Sequence, residues 1–236
     1  MTKRPEVLHD SREVSYDESQ WNTLHRLRKR ALEVMNQVET TGAKPFVHGS
    51  VARGDVTESS DIDIIIPQII SSYRLELVLG TPLHRELVQA TPSMVLKGHI
   101  HLEGDVVVSF PMFKLMSREE EFYKWGGSLD SVALQSETRV PGVDKRLILI
   151  EPTTNGHIES GVIGQEYIVA KKLDVSIDIA RERVRVLTRR ENVGRTGVYQ
   201  TYELKDSESF EEVTKRLQDS DPALRRTMER REGRRR

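Results

Sequence analysis

Two carboxylates, Asp61 and Asp63, open an otherwise apolar run, Asp61-Ile62-Asp63-Ile64-Ile65-Ile66, that ends at Pro67. The β-branched run predicts a buried strand, on which residues two apart point to the same face, so the two acids project side by side. Carboxylates this close repel each other and are costly to bury without a cation, and oxygen-only donors of this kind suit Mg²⁺ or Mn²⁺. Ten residues separate Asp61 from Ser50 of a second feature, Val47-His48-Gly49-Ser50-Val51-Ala52-Arg53-Gly54-Asp55. Here a short strand, Lys44 to His48, leads into Gly49-Ser50, and Val51-Ala52-Arg53 opens a helix. Glycine permits close backbone approach to a ligand, the serine hydroxyl caps a helix or hydrogen-bonds a phosphate, and the helix start favours negative charge. Arg53, one turn on, adds a charge-assisted contact to the same phosphate.

Each piece alone is common, since Gly-Ser occurs in ordinary turns and Asp-x-Asp on solvated strand edges. In the order strand, Gly-Ser turn, helix, strand with Asp-x-Asp, they become specific. On Gly49-Ser50 and Asp61-x-Asp63 the chain resembles the polymerase-beta-like nucleotidyltransferase superfamily, which includes DNA polymerase beta, the tRNA CCA-adding enzymes and small antitoxin-type nucleotidyltransferases. The resemblance covers roughly residues 20 to 115. Beyond that it thins to a looser likeness with archaeal proteins described as predicted nucleotidyltransferases.

The resemblance implies a third carboxylate on a later, adjacent strand. Asp105, in Gly104-Asp105-Val106-Val107-Val108-Ser109-Phe110-Pro111, is the candidate with the better downstream strand, and Glu103 is the alternative. It further implies transfer of a nucleoside monophosphate from a nucleoside triphosphate to an acceptor hydroxyl, with release of pyrophosphate. Two divalent ions, Mg²⁺ or Mn²⁺, would be held by Asp61, Asp63 and Asp105, while Gly49, Ser50 and Arg53 would hold the β- and γ-phosphates. The acceptor is not legible: RNA, a protein or a small molecule all fit. Two further readings stand beside this one, a noncatalytic nucleotide-responsive regulator of DNA and an antitoxin-like enzyme that modifies a protein partner.

These residues need a scaffold. The amphipathic spacing of Trp21, Leu24, Leu27, Ala31, Val34, Met35 and Val38 predicts a helix from about Tyr16 to Glu39, closed by Thr41-Gly42. Leu83 to Gln89 reads as helical, Met94 to His101 and Asp105 to Phe110 as two strands around a tight Glu103-Gly104 turn, Phe113 to Lys124 as a helix with a capping box at Ser117, and Arg146 to Ile150 as a strand. The expected fold class is α+β, a polymerase-beta-like mixed sheet with helices on one side, followed by a small C-terminal winged-helix-like domain. His99 and His101 alternate on one strand, but without a third nitrogen ligand at zinc spacing they read as solvated histidines. His48, beside Gly49, reads as a residue packed against the nucleotide.

Further on, Glu166 to Leu173 and Ile177 to Arg190 have helical spacing around the short break Asp174-Val175-Ser176. This resembles a helix-turn-helix in which Ala170 allows close crossing, Val175 plugs the turn and Ser176 caps the second helix, with Asp174 where glycine is usual. Arg181 and Arg185 on the second helix are candidate nucleic-acid contacts, and Asn192 to Tyr199 a candidate hairpin wing. The same pattern also suits a helical hairpin at a dimer or domain interface. The expected domains are 1–156 (nucleotidyltransferase), 157–220 (helix-turn-helix) and 221–236, a disordered basic tail. The last fifteen residues hold seven arginines and two glutamates.

Composition adds limits. The formal net charge is −1, so no global basic field marks a nucleic-acid protein and any such role rests on local patches. Zero cysteines remove disulfides and thiolate metal sites. Charged residues reach 31% with a mean hydropathy of −0.52, no run approaches a membrane span, and no apolar signal core follows Met1-Thr2-Lys3-Arg4-Pro5. The expectation is a cytoplasmic protein that does not enter a membrane.

Overall fold

Runs of period two alternate along this chain with runs of period 3.6, and a mixture of strands and helices results. The computed structural model describes residues 4–194 and 197–233. In chain order the elements are β1 (Arg12–Ser15), α1 (Glu18–Glu39), β2 (Phe46–His48), α2 (Ser50–Arg53), β3 (Ile62–Ile65), α3 (Ser72–Leu79), β4 (His84–Gln89), β5 (Leu96–Leu102), β6 (Val106–Pro111), α4 (Ser117–Gly126), β7 (Ser128–Leu129), α5 (Ser131–Gln135), β8 (Gly142–Val143), β9 (Ile148–Thr153), β10 (Gly156–Gly161), α6 (Glu166–Lys172), α7 (Ile177–Val193), β11 (Gln200–Glu203), α8 (Phe210–Ser220) and α9 (Pro222–Glu232). They fall into two compact units. The first holds the chain up to Leu32, Val47–Ser60 and Ser117 to residue 194; the second holds Glu33–Phe46, Asp61–Met116 and residue 197 onward. The stretch 157–220 is divided between them. Among the described residues no helix is long and apolar enough to cross a membrane.

In the second unit five strands run in the order β11-β4-β5-β6-β3, antiparallel except for β3 beside β6, which makes the sheet mixed. Burial alternates along β4 and β5, while β6 is buried at every position except Val107. Ile62, Ile64, Val106, Val108, Phe110, Ile100 and Leu87 point to the core face and are at most 1% exposed. Gly98 leaves room there for the Phe110 ring, since a Cβ on it would lie 2.5 Å from Cζ. Phe210 of α8 meets Phe110 edge-on, with centroids 5.0 Å apart. Arg85 also enters this face, donating to the carbonyls of Lys205, Asp206 and Glu208 and to Glu76.

Leu83 to Gln89 corrects the helical expectation: His84–Gln89 is a strand. Its inward positions alternate Arg85, Leu87 and Gln89, and two of these three are polar. Arg85 is satisfied as described, and Gln89 donates to the Met94 carbonyl at 2.8 Å, so burial tolerates them. The basic tail is a second correction. Pro222–Glu232 is a helix, capped by the Asp221 carboxylate accepting from the Ala223 and Leu224 N–H groups. Leu224 is fully buried, Thr227 donates to the Pro92 carbonyl at 2.8 Å, and Arg231 donates to the carbonyls of Lys114 and Ser93 at 3.0 and 2.6 Å. Arg234, Arg235 and Arg236 lie outside the described residues, as do Met1 to Lys3.

In the first unit β1-β10-β9-β8 form a four-stranded sheet and β2 pairs antiparallel with β7. Trp125, Leu147, Leu149 and Val162 join Val169, Ala170, Ile179 and Ala180 of the α6–α7 pair in one core. Between these helices Asp174 adopts a φ of 50°, in the left-handed region where glycine is the commoner choice. Lys124 donates to its carbonyl at 2.8 Å. The Ser176 hydroxyl accepts from the Ile179 N–H as a cap, and Glu121 accepts from the Ser176 N–H and hydroxyl. The stretch read as a hairpin wing is described only in part. Its first residues, Asn192 and Val193, end α7; Arg195 and Thr196 lie outside the described residues; and the chain beyond Tyr199 is β11, paired with β4.

Candidate active site

The Gly49-Ser50 turn belongs to the first unit. Gly49 caps α2 with φ 81° and ψ −139°, a conformation open to glycine and strained for any other residue; a Cβ there would meet nothing within 4 Å, so backbone strain alone requires the glycine. Its N–H donates to the Gly127 carbonyl at 3.0 Å, and its carbonyl accepts from Ala52 and Arg53 at 3.1 and 3.0 Å. The N–H groups of Ser50 and Val51 stand at the helix start, where a helix supplies no acceptor of its own.

Arg53 has a different place from the phosphate contact expected of it. Its guanidinium is buried at 5% exposure, bound in a fork to both Asp55 carboxylate oxygens at 2.9 Å and to the Gly126 carbonyl at 2.5 Å. It braces the turn from behind. Gly126 and Gly127 make that possible: a Cβ on Gly126 would lie 2.4 Å from His48 Cε1, and one on Gly127 would lie 2.8 Å from Arg53 Cγ. His48 Nδ1 lies 3.0 Å from the Gly127 carbonyl, with Tyr123 edge-on at 5.3 Å.

Two further arginines surround α2. Arg28, 6% exposed on the otherwise apolar face of α1, donates to the carbonyls of Val51 and Ala52 at 3.1 Å each. Burial, reinforced by the charge of Arg139, pushes it down to about 10. Arg139 donates to the carbonyls of Gly156 and Thr153 and lies 4.8 Å over the Trp21 ring. The partners of Arg28 and Arg139 in these bonds are carbonyls, so their positive charge adds to the field around the Gly49-Ser50 turn. A charged residue on an apolar helix face and a Gly-Gly pair at the end of α4 are the sequence signals for this support.

The carboxylates belong to the second unit. Asp63 is half-buried on β3, and Asp61 is exposed just before the strand. The Ile62 N–H donates to the Asp105 carbonyl at 2.9 Å, and the Ile66 N–H to the Ser109 carbonyl at 2.8 Å, which fixes the parallel register with β6. In that register Asp63 stands beside Val107. Asp105, level with Asp61, is an exposed turn residue at φ 56°, next to Gly104 at 81°. Glu103 is exposed in the same turn.

On the same face as Asp63 and Val107, β5 presents His101 and His99, and β4 presents His84 and Glu86. His99 Nδ1 lies 2.7 Å from the Ser109 hydroxyl, and burial pushes the ring down to about 3, so it is neutral at ordinary pH. On α7, Arg181 and Arg185 are both exposed, one turn apart. Arg183 between them faces inward over the Phe122 ring at 4.9 Å.

Residues 28–100 match the family model of a nucleotidyltransferase domain. No curated protein and no solved structure matches the chain. The matched segment contains both Gly49-Ser50 and Asp61-x-Asp63 and ends before Asp105. Over residues 28–100 the chain is therefore similar to a nucleotidyltransferase domain.

Proposed function

We propose that the protein is a metal-dependent nucleotidyltransferase that moves a nucleoside monophosphate from a nucleoside triphosphate to an acceptor hydroxyl. The observation that carries this reading is the family match spanning both motifs, with Asp61 and Asp63 kept at the head of a β-branched strand. Two accessible carboxylates on one strand face fit a hard divalent cation such as Mg²⁺ or Mn²⁺. When bound, such ions neutralise charge on the phosphates and lower the pKa of the acceptor oxygen. Asp61 and Asp63 hold the ions, and Asp105 completes the set from its turn. Gly49 and Ser50 receive the β- and γ-phosphates through backbone N–H groups and the serine hydroxyl. Arg53 keeps that turn in shape through Asp55 and the Gly126 carbonyl. The acceptor hydroxyl gives its proton to solvent, its oxygen bonds the α-phosphorus, the bond from that phosphorus to the bridging oxygen breaks, and pyrophosphate leaves. Nearly all the catalysis is positioning and charge neutralisation.

A second reading has its own observation. Val107, and no acid, stands beside Asp63 on the adjacent strand, and α7 exposes Arg181 and Arg185 on a helix pair with helix-turn-helix features. Under it the protein binds triphosphate without turnover and responds by binding or releasing DNA.

Incubation with α-labelled and γ-labelled triphosphates, Mg²⁺ or Mn²⁺ and a cell lysate tests both. The expected result is transfer of the α label, into RNA, protein or a small molecule, with the γ label released as pyrophosphate. Label in a protein would identify the antitoxin-like activity. Tight triphosphate binding with no transfer of either label would sink the enzymatic reading and leave the regulator.

A further inference from the structure

Outside the two motifs, a group of side chains with metal-ligand chemistry lies on the sheet face of the second unit. His84 and Glu86 are two residues apart on β4, so they share a face, and His101 on β5 is the cross-strand partner of His84. One ligand atom from each of the three lies within 4.8 Å of the others. His101 Nε2 and a Glu86 carboxylate oxygen are 3.0 Å apart, and the His84 and His101 rings stack at 3.8 Å with 15° between their planes. The site is open to solvent: His84 is exposed, and the side chains of His101 and Glu86 are 23% and 25% accessible.

We propose that His84, Glu86 and His101 form a binding site for a zinc-class divalent ion, separate from the Asp61-Asp63 pair. Tetrahedral coordination with bonds of about 2.0–2.2 Å sets ligand atoms about 3.4 Å apart, so a 3.0 Å pair and a third atom within 4.8 Å need side-chain rotation only. Both strands are hydrogen-bonded within a sheet, which fixes the backbone positions of the three ligands. Two imidazole nitrogens and one carboxylate oxygen favour Zn²⁺, Co²⁺, Ni²⁺ or Cu²⁺ over Mg²⁺, whereas the oxygen-only acids have the reverse preference. Three protein ligands leave a fourth position for water or a ligand atom. His99, the other histidine on this face, is engaged by Ser109 and stays outside the set. A lone His-x-His strand pair without a third nitrogen argued for solvated histidines; the third and fourth residues that change this come from the neighbouring strand, β4, which the sequence pattern hid.

The register sets this site beside the acids. Asp63, Val107, His101 and His84 occupy one row across four strands. Strand spacing puts His101 about 10 Å from Asp63. One sheet face thus carries an oxygen site and an imidazole site, with an apolar residue between them.

The test uses the full chain, stripped of metal and kept in excess Mg²⁺ to occupy the acids. Co²⁺ is titrated by visible absorption, and Zn²⁺ by competition with a chromophoric chelator. A single equivalent is expected, with the intense visible bands of a four-coordinate Co²⁺ centre that Zn²⁺ abolishes. His84→Ala, at an exposed position, and His101→Gln should each weaken binding by roughly 100-fold or more, since loss of a direct ligand costs at least as much as loss of a supporting one. Asp63→Asn should bind Zn²⁺ within about twofold of the parent, consistent with distant sites acting independently. The proposal is overturned by absence of saturable Zn²⁺ and Co²⁺ binding in the parent, by full binding in His84→Ala, or by loss of binding in Asp63→Asn.

Discussion

Asp63 on β3 stands in register with Val107 on β6, and one strand further His101 continues the row. The position beside the half-buried acid is therefore apolar, and the nearest candidate for a third carboxylate, Asp105, is a turn residue two positions earlier. This relationship makes Asp105 testable without disturbing the fold. Asparagine tolerates the left-handed backbone of Asp105, so Asp105→Asn should leave the melting temperature unchanged and lower turnover by roughly 100-fold, of the order seen for loss of one charge-stabilising group. Glu103→Gln should leave turnover near normal. The reverse pattern in a single-turnover assay would move the third ligand to Glu103.

Asp61→Asn and Asp63→Asn should each abolish transfer. Without metal, both variants should be as stable as the parent or more so, because like-charge repulsion between neighbouring carboxylates is removed. Thermal melts with and without Mg²⁺ check this: the parent should be stabilised by the ion and the variants should not. Near-normal turnover in both would refute the metal assignment.

Ser50→Ala introduces no backbone strain and should weaken triphosphate binding while leaving nucleoside binding nearly unchanged. Gly49→Ala adds strain of about 1–2 kcal/mol at its positive φ and should deepen the loss for triphosphate. Equal losses for both ligands, measured by calorimetry, would contradict a phosphate role. Arg53→Ala should act differently again. It leaves the buried Asp55 carboxylate, 8% exposed, without its cation, and should cost about 3–5 kcal/mol of stability before any ligand is added.

The first unit contains a buried ion-pair network whose pH dependence has a definite sign. Glu159 is 4% exposed; burial alone would raise it, but Arg146 and Arg12 hold its carboxyl below the usual range. A carboxyl depressed on folding adds stability that is fully present above its unfolded value, near 4.5, and is lost as the pH falls through the folded one. Urea midpoints should therefore drop below pH about 4.5. Glu159→Gln should be less stable at neutral pH and lose less over that acid range; a parallel loss in parent and variant would show that Glu159 does not contribute.

Where side-chain type and strand or helix period agreed, the sequence was informative. The apolar spacing from Leu24 to Val38 predicts α1, the Gly-Ser turn and Asp-x-Asp strand predict β2 to β3, and the helix-turn-helix likeness sets Asp174 at the turn position where glycine is usual, which has a left-handed φ. Legibility failed where burial was achieved by polar atoms. Arg85 and Gln89 point inward on β4 because carbonyls meet them, so the strand read as a helix, and with it went the His84-Glu86 half of the imidazole cluster. Arg231 is buried against Phe113 in the same way, and the seven C-terminal arginines concealed the Leu224-Met228 face of α9. The Gly126-Gly127 pair is visible in the sequence, but its role follows only from the packing of His48 and Arg53 against it.

The arginines of α7 distinguish two uses of the same helix pair. Arg181 and Arg185 are exposed and one turn apart, while Arg183 is turned inward, so a double Arg181→Ala and Arg185→Ala change removes surface charge without touching the core. If the helix grips nucleic acid, affinity should fall and the slope of log K against log salt should flatten by about 2, since each neutralised phosphate contributes roughly 0.9. Transfer to a small acceptor would be spared. If the pair is instead an interface between copies, the double variant should change the mass seen by light scattering and leave any nucleic-acid binding as it was. Gel-shift titrations at two salt concentrations, run beside the scattering measurement, decide between them. Absence of salt-sensitive binding to DNA and RNA in the parent would remove the recognition role and leave α6 and α7 as structural partners of the Trp125 core.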